Sequence, residues 1–221
     1  MLQVAVSVEG QTEERFVKRV LQPFFCARDI YIEPIIVNTK RTPTGFYKGG
    51  SIKFDKAIRE LKLLLNPKYS LVTTFYDYYG LDETFLPRQQ FVDPYLMINK
   101  IEENISTTIG NPKFLPYIQL HEFEAFLFID SNVTCNNLLN CNRLGISNSI
   151  NNAMSTTNNN PELINNSRAT APSKRIIQVY AGYQKTLDGP GICEELGIQK
   201  IINSCPNFKK WIDNILDLTK E

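Results

Sequence analysis

Histidine and paired cysteines are scarce in this sequence. It contains one histidine, His121, and five cysteines, none of which has the Cys-x-x-Cys spacing typical of structural zinc sites. The odd number of cysteines and their wide separation also argue against a disulfide framework. The sequence therefore excludes the common Cys/His zinc sites and predicts reduced cysteines, most of which pack in the interior.

Long apolar segments are absent as well. The longest apolar runs, such as residues 71–76, are far shorter than the roughly 20 residues that a membrane-spanning helix requires. The first residues enter a strand pattern directly, without the basic and apolar regions of a secretory leader. We expect a cytoplasmic protein that does not contact a membrane.

Neither sign of charge dominates, and no glycine-rich nucleotide-binding loop occurs. Lys and Arg total 24 against 23 for Asp and Glu, which excludes binding of nucleic acid by a uniformly basic, histone-like surface. Without a Walker-type loop, any nucleotide hydrolysis has to come from another chain. Because 43% of the 221 residues are hydrophobic, the chain can bury a sizeable core, and we expect one globular domain with an elaboration.

The pattern that is present is an alternation of strands and helices. Residues 2–8 form a β-rich run that ends at Glu9-Gly10, and the apolar residues that follow recur at helical spacing. Similar patterns predict further strands at residues 31–37, 71–76 and 114–120 and further helices at residues 51–65 and 93–109. Alternating strands and helices imply a parallel sheet with right-handed crossovers. The predicted fold class is therefore α/β.

The composition changes near residue 130. Thirteen asparagines lie between Asn132 and Asn166, a composition that favours turns and helix caps and indicates short helices, with a loop near residues 156–160. Helical patterns return at residues 173–180, 192–205 and 208–218. We therefore predict an α/β core in residues 1–130 and an Asn-rich, helical C-terminal elaboration in residues 131–221 that packs on it.

Acidic side chains follow three of the predicted strands. Glu9 follows the first strand, Asp77 follows the third, and Glu122 and Glu124 follow the fourth. Because the carboxyl ends of parallel strands meet at one edge of a sheet, these carboxylates are expected to converge. Like charges at close range repel unless a cation lies among them. An all-oxygen ligand set points to Mg²⁺ or Mn²⁺.

Two further acids have spacings that suit the same edge. Glu13 lies one helical turn beyond Glu9, and Asp82 lies beyond Asp77, past a glycine that lets the chain curl back. Such a set can serve two metal ions, an arrangement typical of phosphodiester cleavage. Simpler interpretations stay open, because acids are common in the first turn of a helix, as at Glu13, and aspartates are common in turns.

Basic residues are concentrated in one part of the chain. Residues 40–68 contain eight Lys or Arg, whereas residues 75–104 contain six acids and two bases. Within this part, Lys40, Arg41 and Lys48 lie in a predicted loop together with aromatic residues, a combination that suits nucleic-acid binding. The basic residues of the predicted helix 51–65 have the alternative interpretation of a solvated helix face.

Several blocks of the sequence resemble known proteins. Residues 8–16, with the sequence VEGQTEERF, resemble the first motif of TOPRIM domains, the catalytic module of topoisomerases, primases and OLD-family nucleases. Nearly the whole chain resembles the DUF4276 family of TOPRIM-like bacterial proteins, through blocks at residues 73–81, 116–128, 160–165, 171–175 and 189–190. The resemblance implies a TOPRIM-like, Rossmann-type parallel sheet flanked by helices.

The resemblance also implies roles for individual residues. Glu9 corresponds to the TOPRIM glutamate, which acts in acid/base chemistry and binds metal, and Glu13 corresponds to the second acidic position of OLD-type nucleases. Glu124, and less directly Glu122, resemble the late acidic motif of those nucleases. Lys174 resembles the lysine that stabilises charge at the scissile phosphate.

One motif departs from the usual TOPRIM pattern. The compact Asp-x-Asp is missing, and Asp77 and Asp82 stand at a wider spacing in the corresponding region. This departure argues against topoisomerase or primase activity. Arg175, beside Lys174, is a candidate phosphate contact, and the alternative is that both residues simply lie at an exposed helix start.

The resulting expectation is a metal-dependent nuclease that cleaves DNA with Mg²⁺ or Mn²⁺ and two ions in the site. Proteins of this kind resemble components of bacterial anti-phage systems, which implies a separately encoded ATPase partner of the AAA or ABC/SMC type. Three alternatives stay open: an RNA-processing nuclease, a non-catalytic subunit of an ATPase complex, and a phosphatase with an enclosed pocket. The sequence leaves homo-oligomerisation open.

Overall fold

A computed structural model describes residues 1–42, 45–48, 53–89, 91–165 and 168–218, and for residues 38–42, 45–48 and 168 it describes the backbone alone. The part of the chain that it describes contains seven strands: β1 (Leu2–Val8), β2 (Ile30–Ile36), β3 (Asn38–Thr42), β4 (Gly45–Lys48), β5 (Leu71–Asp77), β6 (Phe114–Leu115) and β7 (Ile118–Gln119). The main sheet has the order β2-β1-β5-β6, and β7 also pairs with β5. Every pair in this sheet is parallel, which confirms the predicted α/β class.

The predicted fourth strand is divided at Pro116. Proline has no N–H to donate to a neighbouring strand, so the ladder along β5 is interrupted there. The hydroxyl of Thr74 fills the gap, since it accepts the Tyr117 N–H at 2.8 Å and donates to the Tyr117 carbonyl at 2.8 Å. Pairing then resumes, with Gln119 opposite Asp77. The Thr74 hydroxyl thereby keeps the chain beside β5 up to residue 122. The residues that follow, 122–124, contain Glu122 and Glu124, and we call them the acidic segment.

Helices cover both faces of the sheet. The first helical stretch consists of α1 (Gln11–Phe16), a π-helical turn (Val17–Leu21) and α2 (Gln22–Cys26), and two longer helices follow, α3 (Phe54–Leu64) and α4 (Pro94–Ile109).

The boundaries of α4 follow from its sequence. The Asp93 carboxylate accepts the N–H groups of Tyr95 and Leu96, and Gly110 ends the helix in the left-handed conformation.

The alternation of side chains along the central strands creates two cores. Val4, Val6 and Val8 of β1 join one apolar cluster, whereas Ala5 joins the other. We call the cluster that contains Val4, Val6 and Val8 the first cluster and the one that contains Ala5 the second. Phe75 of β5 also belongs to the first cluster. α3 and α4 contribute to the second cluster, and α1 and α2 contribute to the first.

Among the described residues beyond 130, the α-helices are α5 (Ser131–Asn137), α6 (Arg143–Ser155), α7 (Pro172–Val179), α8 (Lys185–Leu196), α9 (Ile198–Ser204) and α10 (Pro206–Leu218). They pack on the face of the sheet that carries the first cluster. There, Trp211 of α10 stacks on Tyr117 with ring centroids 4.4 Å apart. The Trp211 indole N–H also donates to Thr73 Oγ1 at 2.8 Å. The first cluster therefore includes residues of both the sheet and the C-terminal helices.

Some elements differ from the sequence-based expectation. β3 and β4 form an antiparallel hairpin where a loop was expected. The single helix expected at residues 192–205 is two helices, because α8 begins at Lys185 and Gly197, with φ 75°, separates it from α9. The asparagines act as caps, as predicted, since Asn142 accepts the Gly145 N–H at the start of α6. Among the described helices, none is long and apolar enough to span a bilayer.

Candidate functional site

A cavity of about 360 Å³ lies at the carboxyl edge of the main sheet. It is lined by Glu9, Gly10, Gln11, Thr12, Glu13, Asp77, Tyr79, Gly80, Glu122, Lys185 and Thr186. Four of the acids that the sequence predicts for a shared site, Glu9, Glu13, Asp77 and Glu122, therefore line one cavity. We refer to this cavity, together with the adjoining Glu124, as the acidic cavity.

Glu9 and Asp77 come together because β1 and β5 are neighbours. Glu9 follows the last residue of β1, and the Asp77 N–H donates to its Oε1 at 3.0 Å. The Asp77 Oδ1 in turn accepts the Phe123 N–H at 2.9 Å, which ties the end of β5 to the late acidic segment. Gly80 permits this arrangement, since a Cβ at that position would lie 2.2 Å from Glu9 Oε2. The turn after β5 can therefore approach the Glu9 carboxylate only through a glycine.

Glu124 is fully buried beneath the cavity, in the 3₁₀ segment Phe123–Phe128. Its Oε1 accepts the Tyr183 hydroxyl at 3.2 Å. Its Oε2 accepts no hydrogen bond from the described residues, although the Lys185 ammonium lies 3.2 Å away. The same ammonium lies 3.4 Å from Asp77 Oδ2. Lys185 is thus the cation among these carboxylates, and its side chain is 43% exposed.

Burial and mutual repulsion shape the ionisation of these groups. Burial raises the pKa of Glu9 and of Asp77 well above their usual values, and each carboxylate is further affected by its acidic neighbours. Burial also raises the pKa of Glu13 and of Glu124, while Lys185 opposes both shifts. Burial lowers the pKa of Lys185, but the surrounding carboxylates, Asp77 foremost, outweigh it and raise that pKa overall. The raised pKa values show that the simultaneous ionisation of these carboxylates around one ammonium is unfavourable.

The donor chemistry of the acidic cavity fits a divalent cation. Its charged donors are carboxylate oxygens, the ligands that Mg²⁺ and Mn²⁺ prefer. The buried Glu124 Oε2, without a hydrogen bond, is an acceptor that a cation could satisfy. In the residues that the structure describes, no three acidic, histidine or cysteine side chains stand close enough to form a ligand shell. The carboxylates are neighbours arranged around a lysine rather than around a preformed metal position.

Asp82 lies apart from the other predicted acids. Its Oδ1 accepts the N–H of Thr84 at 3.0 Å and the Thr84 hydroxyl at 2.8 Å, and the latter hydrogen bond is the main cause of its lowered pKa. The Thr84 Oγ1 also accepts the Phe54 N–H at the start of α3, at 2.9 Å. Asp82 does not line the acidic cavity. Its contacts are those of a turn cap that ties this segment to α3.

Among the described residues, no ion pair joins Lys174 or Arg175 to a carboxylate of the acidic cavity. Lys174 is exposed in the first turn of α7 and makes no ion pair within the described part of the chain. Arg175 Nε donates to the Thr170 carbonyl at 2.8 Å. Lys40, Arg41 and Lys48 have their backbones in the β3–β4 hairpin, and their side chains lie outside the described residues.

The start of α7 nevertheless reaches the rim of the acidic cavity. The Ser173 N–H donates to Glu122 Oε2 at 3.0 Å, which places one predicted acid at the N-terminus of this helix. A carboxylate in that position is stabilised by the helix dipole whatever else it does. Glu122 therefore has a structural partner, and Lys174 is next in sequence to the residue that supplies it.

Lys185 and Tyr183 were not predicted from the sequence. The start of α8 was obscured because Gly189 and Pro190 interrupt the helical pattern. Pro190 lacks an N–H, so the Thr186 carbonyl has no partner within the helix, and Arg15 Nη1 donates to it at 2.6 Å. A Cβ on Gly189 would lie 2.9 Å from both the Phe123 ring and the Tyr183 hydroxyl. The Gly-Pro pair was the available signal, since it marks close packing of α8 on the acidic segment.

His121 lies beside the acidic cavity without lining it. It is buried and has a left-handed backbone with φ 63°, and its carbonyl accepts the Tyr79 N–H at 3.0 Å. Its Nδ1 lies 3.4 Å from the Asn165 amide nitrogen, which also contacts the Tyr79 hydroxyl. Burial lowers the pKa of His121 to about 4, so the ring is neutral at pH 7. These contacts support Tyr79 on the cavity wall, so His121 acts as a supporting residue.

Comparison with known proteins gives one match. The family model described as a domain of unknown function, DUF4276, matches residues 8–216, a range that includes the whole acidic cavity. No curated protein and no solved structure matches the chain. The match covers nearly the entire sequence, from the last residue of β1 into α10. The chain therefore belongs to the DUF4276 family.

Proposed function

We propose that this protein is a TOPRIM-like, metal-dependent nuclease that hydrolyses phosphodiester bonds in DNA. The observation that carries the proposal is the acidic cavity itself. Glu9, Glu13, Asp77 and Glu124 are brought to one edge of a parallel sheet around the Lys185 ammonium group. Open α/β sheets bind their ligands at this edge, and clustered groups with raised pKa values are typical of functional sites.

The cost of burying these carboxylates supports a functional role. Ionised groups removed from water are destabilising unless they are fully paired or hydrogen-bonded. Here Glu124 is 0% exposed, and its Oε2 has the Lys185 ammonium at 3.2 Å but accepts no hydrogen bond from the described residues. The buried Glu124 carboxylate costs stability, and a role in function is the simplest reason for its presence. This reasoning favours an enzyme over a non-catalytic subunit of the same fold.

We assign different roles to the acids of the acidic cavity according to their positions. Glu9, Asp77 and Glu124 would hold a divalent cation, with Glu13 and Glu122 available for a second. When bound, Mg²⁺ or Mn²⁺ supplies Lewis acidity and a water of lowered pKa. The Glu9 Oε1 is fixed by the Asp77 N–H, so proton exchange with an attacking water falls to Oε2.

Lys185 takes the role that the sequence assigned to Lys174. Its ammonium is the cation within the acidic cavity, and it can neutralise charge that develops on the phosphate oxygens in the transition state. Tyr183 holds Glu124 in place through its hydroxyl. To Lys174 and Arg175, in the first turn of α7 beside the residue that contacts Glu122, we assign contacts with phosphates outside the cavity.

The accessibility of the acidic cavity favours a polymeric substrate over a small phosphorylated molecule. Gln11 and Lys185 line it and are exposed, so a phosphate within a nucleic-acid chain can approach.

This chain resembles components of bacterial anti-phage systems. By that resemblance we expect the protein to act in the cytoplasm with a separate ATPase of the AAA or ABC/SMC type. RNA is the alternative substrate, and the activity assay distinguishes the two.

The test is cleavage of supercoiled plasmid and of a structured RNA by the purified protein in Mg²⁺ and in Mn²⁺. We expect DNA cleavage that EDTA abolishes and that Glu9→Gln reduces by on the order of 100-fold or more, because a metal ligand and proton acceptor are lost. Glu14→Gln is the matched control, since Glu14 pairs with Lys18 outside the cavity. Equal cleavage by the Glu9→Gln and Glu14→Gln variants would refute the proposal, and cleavage of RNA alone would replace DNA as the substrate.

A further inference from the structure

Lys185 occupies a central place among the acids of the cavity. Its Nζ lies 3.4 Å from Asp77 Oδ2 and 3.2 Å from Glu124 Oε2, so one ammonium bridges carboxylates from two segments of the sheet edge. These are two of the carboxylates that the proposed function assigns to a divalent cation. A lysine and a metal ion cannot both occupy the space between the same two oxygens.

The backbone at the start of α8 is anchored, whereas the Lys185 ammonium is held by two long ion-pair contacts. Arg15 holds the Thr186 carbonyl, and Tyr183 contacts Glu124, so the backbone on both sides of Lys185 is anchored. The Lys185 side chain is 43% exposed and carries its charge on a flexible four-carbon stem. It can therefore swing toward solvent without movement of the helix.

The two contacts of the ammonium are also loose. Close ammonium–carboxylate hydrogen bonds have lengths of about 2.7–2.9 Å, shorter than either contact here. The Glu124 Oε2 is fully buried and accepts no hydrogen bond from the described residues, even with the ammonium nearby. Lys185 thus donates one long hydrogen bond, to Asp77 Oδ2, and offsets part of the charge on Glu124 without a hydrogen bond to its Oε2.

We propose that Lys185 is a built-in counter-ion that competes with the divalent cation for Asp77 and Glu124. In the ion-free protein the ammonium bridges the two carboxylates and keeps them from repelling each other. When a divalent cation binds, the lysine is displaced toward the open side of the acidic cavity, where a substrate phosphate approaches. Metal binding and the positioning of Lys185 toward substrate are then one event. This inference rests on the proposed metal-dependent function.

The first experiment measures Mn²⁺ binding directly, by electron paramagnetic resonance of free Mn²⁺, in the absence of nucleic acid. We expect Lys185→Met to bind Mn²⁺ about tenfold more tightly than the wild type, because a competing positive charge is removed from the acidic cavity. The matched control is Lys68→Met, which breaks a lysine–carboxylate pair with Glu33 outside the cavity, and it should bind Mn²⁺ like the wild type. Unchanged or weaker binding by Lys185→Met overturns the inference.

The second experiment uses the wild-type protein and so does not depend on the folding of a variant. The ammonium ¹H–¹⁵N signal of Lys185 is followed by NMR during a Mg²⁺ titration, and Lys68 serves as the internal reference. We expect the Lys185 signal to shift or broaden and to saturate at the same Mg²⁺ concentration as calorimetric binding. A Lys185 signal that stays unchanged while Mg²⁺ binds overturns the inference.

The outcomes separate this inference from the proposed function. If Lys185→Met binds Mn²⁺ more tightly but the wild type cleaves no nucleic acid, the competition stands and the nuclease proposal fails. If the wild type cleaves DNA but Lys185 does not affect Mn²⁺ affinity, the nuclease proposal stands and the competition fails. If neither protein binds Mn²⁺, both fail.

Discussion

Two fully buried glutamates in this protein have opposite surroundings. Glu162 accepts hydrogen bonds from the Tyr95 hydroxyl at 3.0 Å and from the N–H groups of Asn207 and Phe208 at 2.9 and 3.0 Å, at the start of α10. Glu124 accepts one hydrogen bond, from Tyr183, and its second oxygen accepts none from the described residues. The fold satisfies both oxygens of Glu162, whereas Glu124 Oε2 has only the Lys185 ammonium nearby, at 3.2 Å, among the described residues.

The difference also appears in what surrounds each carboxylate. Glu162 closes the N-terminus of a helix, where the dipole and the unpaired N–H groups favour a negative charge. Glu124 instead shares the acidic cavity with other carboxylates and with Lys185. The comparison therefore separates a structural acid from one that we assign to the active site.

Replacement of each buried glutamate by glutamine, at positions 124 and 162, should show the difference between them most clearly. Glu124→Gln removes a charge from the acidic cavity, and we expect metal-dependent cleavage to fall by on the order of 100-fold or more, with a stability change within about 1 kcal/mol. Glu162→Gln places an amide NH₂ against N–H or O–H donors, and we expect a loss of about 2–3 kcal/mol of unfolding free energy. Activity assays and urea unfolding of both variants check this. A large stability loss in Glu124→Gln with full activity would reverse our assignment.

Gly80→Ala tests whether the position of Glu9 matters as much as its charge. The new Cβ would lie 2.2 Å from Glu9 Oε2, so the carboxylate has to move. We expect kcat to fall by about 10- to 100-fold while Glu9 itself is retained, because a displacement of about 1 Å at a catalytic group has effects of this size. The control is Gly191→Ala, whose Cβ would meet no atom within 4 Å. Equal kcat values for the two variants would contradict the assigned role of Glu9.

The dependence of stability on pH should report the buried carboxylates of the acidic cavity. Glu9 and Asp77 have raised pKa values in the folded protein, so the folded state holds protons that the unfolded chain has already released. The free energy of unfolding therefore falls as pH rises from the unfolded values, 3.8 for Asp and 4.5 for Glu, through the raised folded values. The pKa of Glu162 is also raised, by burial, but no metal ion is assigned to it.

Mg²⁺ should restore the stability that the acidic cavity loses at high pH. Because the ion binds the ionised carboxylates, we expect a gain of about 2.7 kcal/mol at 100 times Kd at pH 8, and a smaller gain at pH 5. Glu162→Gln should keep this response to Mg²⁺, and Glu124→Gln should lose most of it. Thermal unfolding at the two pH values, with and without Mg²⁺, measures these differences. An equal Mg²⁺ response at both pH values would argue against binding to these carboxylates.

Asp82→Ala should have the smallest effect of the series. The side chain caps a 3₁₀ turn and does not line the acidic cavity. Its loss should lower the unfolding free energy by about 1 kcal/mol, with kcat and Mn²⁺ affinity close to those of the wild type. Calorimetric Mn²⁺ titration of the variant is the deciding measurement. A marked loss of Mn²⁺ affinity would return Asp82 to the metal site that the sequence predicts.

The convergence of Glu9, Asp77 and Glu124 could be predicted because it follows from topology. Acids placed after parallel strands meet at one sheet edge, whatever the details of packing. Asp82 shows the limit of spacing arguments. Its neighbour Thr84 supplies a local hydrogen-bonding partner, and that short-range interaction decides where its carboxylate points.

Lys185 could not be predicted because its position depends on packing between distant segments. Its helix is held by the hydrogen bond from Arg15 to Thr186, and its start is obscured by Gly189 and Pro190. The sequence contained another lysine at a helix start, Lys174, that matched the expected motif. The Gly189-Pro190 pair signals close packing of α8, but it does not say which lysine reaches the carboxylates, and the contact between α1 and α8 decides that.

The most direct test of the account is a crystal structure of the wild-type protein grown with Mn²⁺ and measured at a wavelength where manganese scatters anomalously. The account predicts an anomalous peak in the acidic cavity, bound by Asp77 and Glu124, with the Lys185 ammonium displaced from both. A protein that crystallises in Mn²⁺ with no peak in the acidic cavity, and with Lys185 still bridging Asp77 and Glu124, would contradict it.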